Sequence, residues 1–229
     1  MTKPGLFLTF EGGDGSGKTT QAGLLAERLR KLFANEVLVT FEPGDSRLGR
    51  ELRRLIQHDE DLDPRTEALL YAADRAHHVA TVIRPALERG AIVISDRYLD
   101  SSVAYQSAGR KLPAAEVERL SLWATEGLTP DVTVLLDVDD ATAVARQVGE
   151  LDRIETAGAE FRERVREGYL QRAAAQPDRW LVVSAGGSIS EVAEAVAIAL
   201  EPRLTRWAST AVPTDVVECD AFRGPRIGG

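Results

Sequence analysis

Five short apolar runs punctuate the chain, Leu6 to Phe10, Val37 to Phe41, Ala91 to Ser95, Val132 to Val138 and Trp180 to Ser184. The fourth is continuous in its apolar character, as a strand covered on both faces should be. Between the runs, apolar residues recur at helical spacing. Leu24, Leu25, Leu29 and Leu32 follow the first run, and Leu48 to Ile56 follow the second. Pro64 suits the first turn of a long helix carrying Leu69, Leu70, Ala73, Val79, Ile83 and Leu87, which Gly90 stops. Further helices are predicted from about Pro113 to Gly127, around Phe161, Val165 and Tyr169, and from Ile189 to Leu200. The stretch from Asp96 to Gly109 is polar and carries no such period, and Gly149 to Glu155 reads as a charged loop. Strands alternating with helices predict an α/β fold, a mostly parallel five-stranded sheet with helices on both faces. No repeat or linker divides residues 1–204, which read as one domain. From about Thr205 to residue 229 the period vanishes and Pro, Thr and Gly take over. That extension is either loosely ordered or packed on the body through Trp207 and Phe222.

The connection after the first strand carries the strongest chemical signal. Gly12, Gly17, Lys18 and Thr19 fit G-x-x-x-x-G-K-[ST], the phosphate-binding P-loop, with a strand before it and an amphipathic helix after it. Glycines let the backbone curl until successive N–H groups point at phosphate oxygens. The loop Gly12, Gly13, Asp14, Gly15, Ser16, Gly17 with Lys18, Thr19 and Thr20 is therefore expected to hold the phosphates of a nucleoside triphosphate. Lys18 would reach the β- and γ-phosphates and Thr19 would offer a hydroxyl to Mg²⁺. At the end of the third strand stands Asp96-Arg97, in the crevice where parallel sheets bind ligands. Arg97 could grip a second phosphate with two parallel hydrogen bonds, and Asp96 could hold water on Mg²⁺. A plain surface ion pair is the alternative for these two.

Length and charge narrow the class. A chain of 229 residues suits one α/β domain with a sizeable core. A net charge of −8 argues against a surface that coats nucleic acid, so phosphate must be held by local arginines and backbone. The single cysteine, Cys219, excludes an internal disulfide and fits a reducing compartment. With no signal-peptide pattern and no apolar run near ~18 residues, no membrane partner and a cytoplasmic location are expected.

Five segments together, FEGGDGSGKTTQ, FEPG, LLYAADRAHH, DRYLDSSVAYQ and GELDRIE, resemble the bacterial thymidylate kinase family, in the family's order from Leu6 to about Leu200. The resemblance implies a P-loop nucleoside monophosphate kinase core, ATP-dependent phosphorylation of dTMP to dTDP, Mg²⁺ and a homodimer. It implies that Asp14 accepts from the 3′-hydroxyl of dTMP and that Pro43, often cis in the family, shapes the monophosphate site. Tyr71 would stack on the thymine and Arg75 would donate to its 4-carbonyl. Their i, i+4 spacing places both on one helix face, which an ordinary amphipathic helix would also do. Arg97 is implied as the dTMP phosphate clamp, Ser102 and Gln106 as readers of the pyrimidine edge, and Tyr105 as the group that disfavours a ribose 2′-hydroxyl. The acceptor is an ionised phosphate and needs no general base, so His58, His77 and His78 read as ordinary helix-surface residues.

The chain departs from the family pattern in places. Phe41 stands where an arginine usually precedes Glu-Pro-Gly, and Asp45-Ser46 stand where Gly-Thr commonly follows it. Gly15 leaves no basic residue inside the P-loop, a case in which relatives use arginines in a lid. The lid, about 147–157, is short by about two residues in its approach. Arg146 reads as a flank for the adenine, while Arg153 would close over the transferred phosphoryl or pair with Asp152 or Glu155. A different or modified pyrimidine deoxynucleotide as acceptor, or a kinase-like binding protein with little turnover, are the competing readings.

Overall fold

The computed structural model describes residues 5–58, 62–146 and 158–210. Five strands, β1 (Leu6–Glu11), β2 (Val37–Phe41), β3 (Ile92–Asp96), β4 (Val132–Asp137) and β5 (Trp180–Ser184), form one sheet in the order β2-β3-β1-β4-β5. Every pairing is parallel, with Phe10 beside Asp96 and Phe10 beside Val134. The order reverses direction at β1, so the crevice beyond its carboxyl end is where a ligand site is expected.

Side chains alternate across the sheet, and each face has its own core. Leu8, Phe10, Val134 and Leu136 pack with Ala22, Leu25 and Leu29 of α1 (Lys18–Leu32) and with Val192, Val196 and Leu200 of α9 (Ile189–Ser209). On the other face Phe7 and Val93 meet Val79, Ile83 and Ala86. Leu135 and Trp180 there meet Phe161, Val165 and Tyr169 of α8 (Ala159–Ala175). A fully buried Leu or Phe contributes about 1.5–3 kcal/mol relative to exposure, so these two layers fix the strands that aim the site.

Three boundaries differ from the sequence expectation. The long helix after Pro64 is interrupted: α3 (Pro64–His78) passes through a π-helical turn at Val79–Ile83 into α4 (Arg84–Glu88). Pro85 has no N–H to give the carbonyl one turn back, and a widened turn accommodates its ring. The polar stretch after Asp96 is also helical, α5 (Leu99–Ser102) running into a second π-helical segment, Val103–Gly109, before α6 (Ala114–Ala124). Arg110 N–H bonds the Tyr105 carbonyl at 2.8 Å, the five-residue step of that geometry. Finally, α9 continues through Ser209, past the boundary expected at residue 204, and Trp207 packs edge-on to Phe33 at 5.5 Å. The remaining helices are α2 (Arg47–His58) and α7 (Asp140–Arg146).

Candidate active site

Gly12 to Gly17 link β1 to α1 and curl through three glycines at positive φ, Gly12, Gly15 and Gly17. Gly15 is the position with least latitude, at φ 78° with an added Cβ falling 2.2 Å from the Ala143 carbonyl oxygen. Gly15→Ala should therefore weaken ATP binding by at least about tenfold, since left-handed backbone alone costs about 1–2 kcal/mol. Calorimetric titration with a non-hydrolysable ATP analogue checks this, and unchanged affinity would refute the cradle.

Lys18, at the first position of α1, is buried and donates through Nζ to the Gly13 carbonyl at 2.8 Å. Burial and then the Arg97 charge push its ammonium down to about 8, against the pull of Asp96, Asp14 and Glu11. The protonated form is the one whose charge suits phosphate oxygens. The value of kcat/KM for ATP, which reports the free enzyme, should thus be full below about pH 8 and fall as pH rises through it. A pH profile flat to 10 would refute that assignment.

Beside Lys18, the Thr19 hydroxyl donates to Asp96 Oδ2 at 2.5 Å. Two hard oxygen donors thus converge at the phosphate end of the cradle. Among the described residues there is no cluster of three or more His, Cys, Asp or Glu that could cage a metal. A single hydroxyl and one carboxylate, with phosphate oxygens and water completing the shell, is the ligand set that Mg²⁺ takes. The residues present fit that ion.

Arg97 follows β3 with φ 70°, a left-handed conformation uncommon for a residue with a side chain. Its N–H bonds the Phe10 carbonyl at 2.9 Å and its carbonyl accepts from Ser95 Oγ at 2.7 Å. The twist turns the guanidinium back over the P-loop. There it donates to the Gly12 carbonyl (3.2 Å), Ser101 Oγ (3.1 Å), Tyr105 Oη (3.1 Å) and the Asp14 carboxylate. Tyr105 in turn donates to Asp14 Oδ2 at 3.0 Å. Burial would raise the Asp14 pKa, but the charges of Arg97 and Lys18 outweigh it and hold the carboxyl below its usual range. Under this group lies Glu11, fully buried and pushed up to about 7 by burial and by the charge of Asp100. It accepts from Tyr98 N–H, Ser101 Oγ and Tyr169 Oη.

The opposite wall is built by α3 and the turn after β2. The Glu42–Pro43 peptide is cis. Arg75 is 1% exposed, its Nε on Glu42 Oε2 at 2.8 Å and its other nitrogens on Ser102 Oγ, Ser121 Oγ and the Tyr98 carbonyl. Gln106 Nε2 donates to Glu67 Oε1 at 2.9 Å, and Tyr71 stands half-buried one helical turn from Arg75. His78 corrects the surface reading: it is 1% exposed, with Nδ1 2.9 Å from Glu42 Oε1 and Nε2 2.5 Å from Thr40 Oγ1. His77 remains half-exposed.

The P-loop, Asp96, Arg97, Tyr105 and the wall with Pro43, Tyr71 and Arg75 line one cleft of about 970 Å³. It includes all the expected site residues the structure describes except Gly12 and Gly13, whose carbonyls instead accept from Arg97 and Lys18. At its far end Arg146 donates to the Ala185 and Gly187 carbonyls at 2.7 and 2.9 Å, on the loop between β5 and α9. Arg153 and the rest of the expected lid lie outside the described residues. Sequence reasoning passed over Glu42, Ser101 and Tyr169. It also passed over Arg162 and Arg166 on α8, which flank the P-loop while paired to Asp140 and Asp137. The four-residue steps of α8 located its core face, but nothing in them marks the arginines between as facing a loop some 150 positions earlier.

A thymidylate kinase family model matches residues 10–196. The thymidylate kinase of Clavibacter sepedonicus is 60% identical over 186 residues, covering 80% of this chain and 88% of that protein. That of Leifsonia xyli subsp. xyli is 56% identical over 206 residues, covering 88% and 97%. A crystal structure of thymidylate kinase from Ehrlichia chaffeensis matches with a TM-score of 0.68 at 36% identity, over 80% of this chain and 94% of that one.

Proposed function

The chain belongs to the thymidylate kinase family, and from that premise we propose how its residues phosphorylate dTMP to dTDP at the expense of ATP. The observation that carries the proposal is a shared cleft, in which the P-loop with Lys18 and Asp14 meets Arg97 and Tyr105, both hydrogen-bonded to Asp14. Gly12 to Thr20 hold the donor phosphates, with Thr19 and Asp96 as the side chains for Mg²⁺. That ion, when bound, neutralises charge on the β- and γ-phosphates. Arg146 flanks the adenine. Arg97 clamps the dTMP phosphate, Asp14 accepts from the 3′-hydroxyl, and Tyr105 closes the space beside C2′. Pro43 shapes the monophosphate site, and Tyr71, Arg75, Ser102 and Gln106 bind and read the base, while Arg153 stays assigned to the closing lid. Because the acceptor oxygen is already anionic, the protein's work is alignment and charge neutralisation rather than proton transfer.

Family membership also supports a homodimer, and α3 and α6 leave Leu69 and Trp123 exposed for one. A cytoplasmic location belongs to the same proposal, supported by the ATP chemistry and by the lone cysteine. No helix among the described residues is long and apolar enough to cross a membrane. A coupled ADP-release assay over a panel of nucleoside monophosphates tests the reading. dTMP should lead, and deoxynucleotides should outrun their ribose counterparts. Preference for another pyrimidine deoxynucleotide would move the acceptor, and absence of turnover on the panel would overturn the reading.

A further inference from the structure

Behind the wall that carries Arg75, four side chains meet in a way that leaves one arrangement of protons when both carboxyl groups are ionised. Thr40 Oγ1 has a single hydrogen and contacts Asp45 Oδ2, which as a carboxylate can only accept. The same oxygen lies 2.5 Å from His78 Nε2, and with its hydrogen given to Asp45 it can only accept there, so Nε2 carries a proton. Nδ1 lies 2.9 Å from Glu42 Oε1, a second carboxylate, so Nδ1 carries one as well. A ring protonated on both nitrogens is an imidazolium. We propose that His78 is a positioning residue, held as an imidazolium by Asp45–Thr40 on one side and Glu42 on the other, that orients Glu42 and through it Arg75 for dTMP binding.

The Glu42 carboxylate is divided between two cations, Oε2 taking Arg75 Nε at 2.8 Å and Oε1 taking His78. That division fixes its rotation, and the rotation fixes the plane in which the guanidinium meets Ser102 and the Tyr98 carbonyl. With a neutral ring, Oε1 keeps at most a hydrogen bond without the charge, and the balance of the carboxylate between its two partners shifts toward Arg75. The groups facing the ring are Glu42 from the end of β2, Asp45 from the turn after it and Asp74 from α3, with Arg75 beyond Glu42. Burial disfavours the charged ring, but the hydrogen bond and charge of Glu42, then the charges of Asp74 and Asp45, outweigh it and raise its pKa. Asp74 is itself pushed up to about 6 by burial and by Glu42, and its buried Oδ1 has no partner among the described residues. Its contribution fades as pH falls through 6, while loss of the ring proton comes on the alkaline side.

The proposal rests on dTMP being the acceptor, and two measurements on the full chain keep the two readings apart. In ¹⁵N spectra of histidine-labelled protein at pH 7, both His78 ring nitrogens should be protonated, and a neutral ring would overturn the proposal. In kinetics, KM for dTMP should be flat near neutrality and rise with alkaline pH, with KM for ATP lacking that rise. Asp45→Asn removes the negative charge facing the ring and lets the Thr40 hydrogen turn to Nε2, and should move both the ring pKa and the dTMP KM rise down by about one pH unit. His78→Gln should raise KM for dTMP about tenfold with kcat within about twofold. If Asp45→Asn leaves the pH dependence in place, or if dTMP and ATP constants move together, the positioning role is wrong. Should His78→Gln fail to fold, Asp45→Asn and the spectra still decide it. A chain that turned over no dTMP would strike the functional reading, leaving the spectra to judge the ring.

Discussion

Lys18→Ala is expected to lower kcat by about 10³-fold or more, with no loss of thermal stability. The two halves of that result have one cause. The Lys18 ammonium is buried and its pKa is pressed down to about 8, which means that folding works against its charge. Removing it forfeits the hydrogen bond to the Gly13 carbonyl and a long one to Ser16 Oγ but also relieves a desolvated cation. In the proposed reaction the balance would reverse, because negative charge spreads over the transferred group and the ammonium would stand at the donor phosphates. Steady-state assay and a thermal melt on the same sample check both halves. Activity above a few per cent of wild type would remove Lys18 from the chemistry, and a collapse of the melting temperature would make the loss merely structural.

The second large effect is expected at Arg97, where Arg97→Ala should cut kcat/KM for dTMP by about 10³-fold. Alanine alone would confound two losses, since the Asp14 carboxylate depends on Arg97 for its charge partner. The backbone separates them. At φ 70° a glycine is more comfortable than any side-chain-bearing residue, so Arg97→Gly should be at least as stable as Arg97→Ala and as inactive. Arg97→Lys should recover little, because one ammonium cannot meet Gly12, Ser101, Tyr105 and Asp14 together as the planar fork does. Calorimetric binding of dTMP, kinetics and melts on the three variants measure this. If lysine restored activity to within about threefold, point charge rather than bidentate grip would be the operative property.

The five strands were legible because a parallel strand covered on both faces must be apolar along its length, and Val132 to Leu136 leave little else to be. The P-loop was legible for the opposite reason: its glycines are needed where Ala143 and Ser16 leave no room. The helix after Asp96 escaped notice because Asp100, Ser101, Ser102 and Gln106 carry no apolar period. They are buried nonetheless, and each is satisfied by a distant partner, such as Arg172 and Arg179 for Asp100. His78 escaped for a related reason. Its neighbours in sequence say helix surface, while the groups that set its charge come from 36 and 38 positions away. Pattern reports which face is greasy, whereas a polar group's fate depends on who meets it.

The reach of α9 bears on how the protein can be shortened. Cutting at residue 204, where the repeating pattern fades, would delete Trp207 and with it the edge-on contact to Phe33, just past the end of α1. Because α1 begins at Lys18, that far prop steadies the same rod whose near end follows the P-loop. A trimmed version that keeps the indole retains both supports, and one that drops it loosens the lever from the end opposite the chemistry.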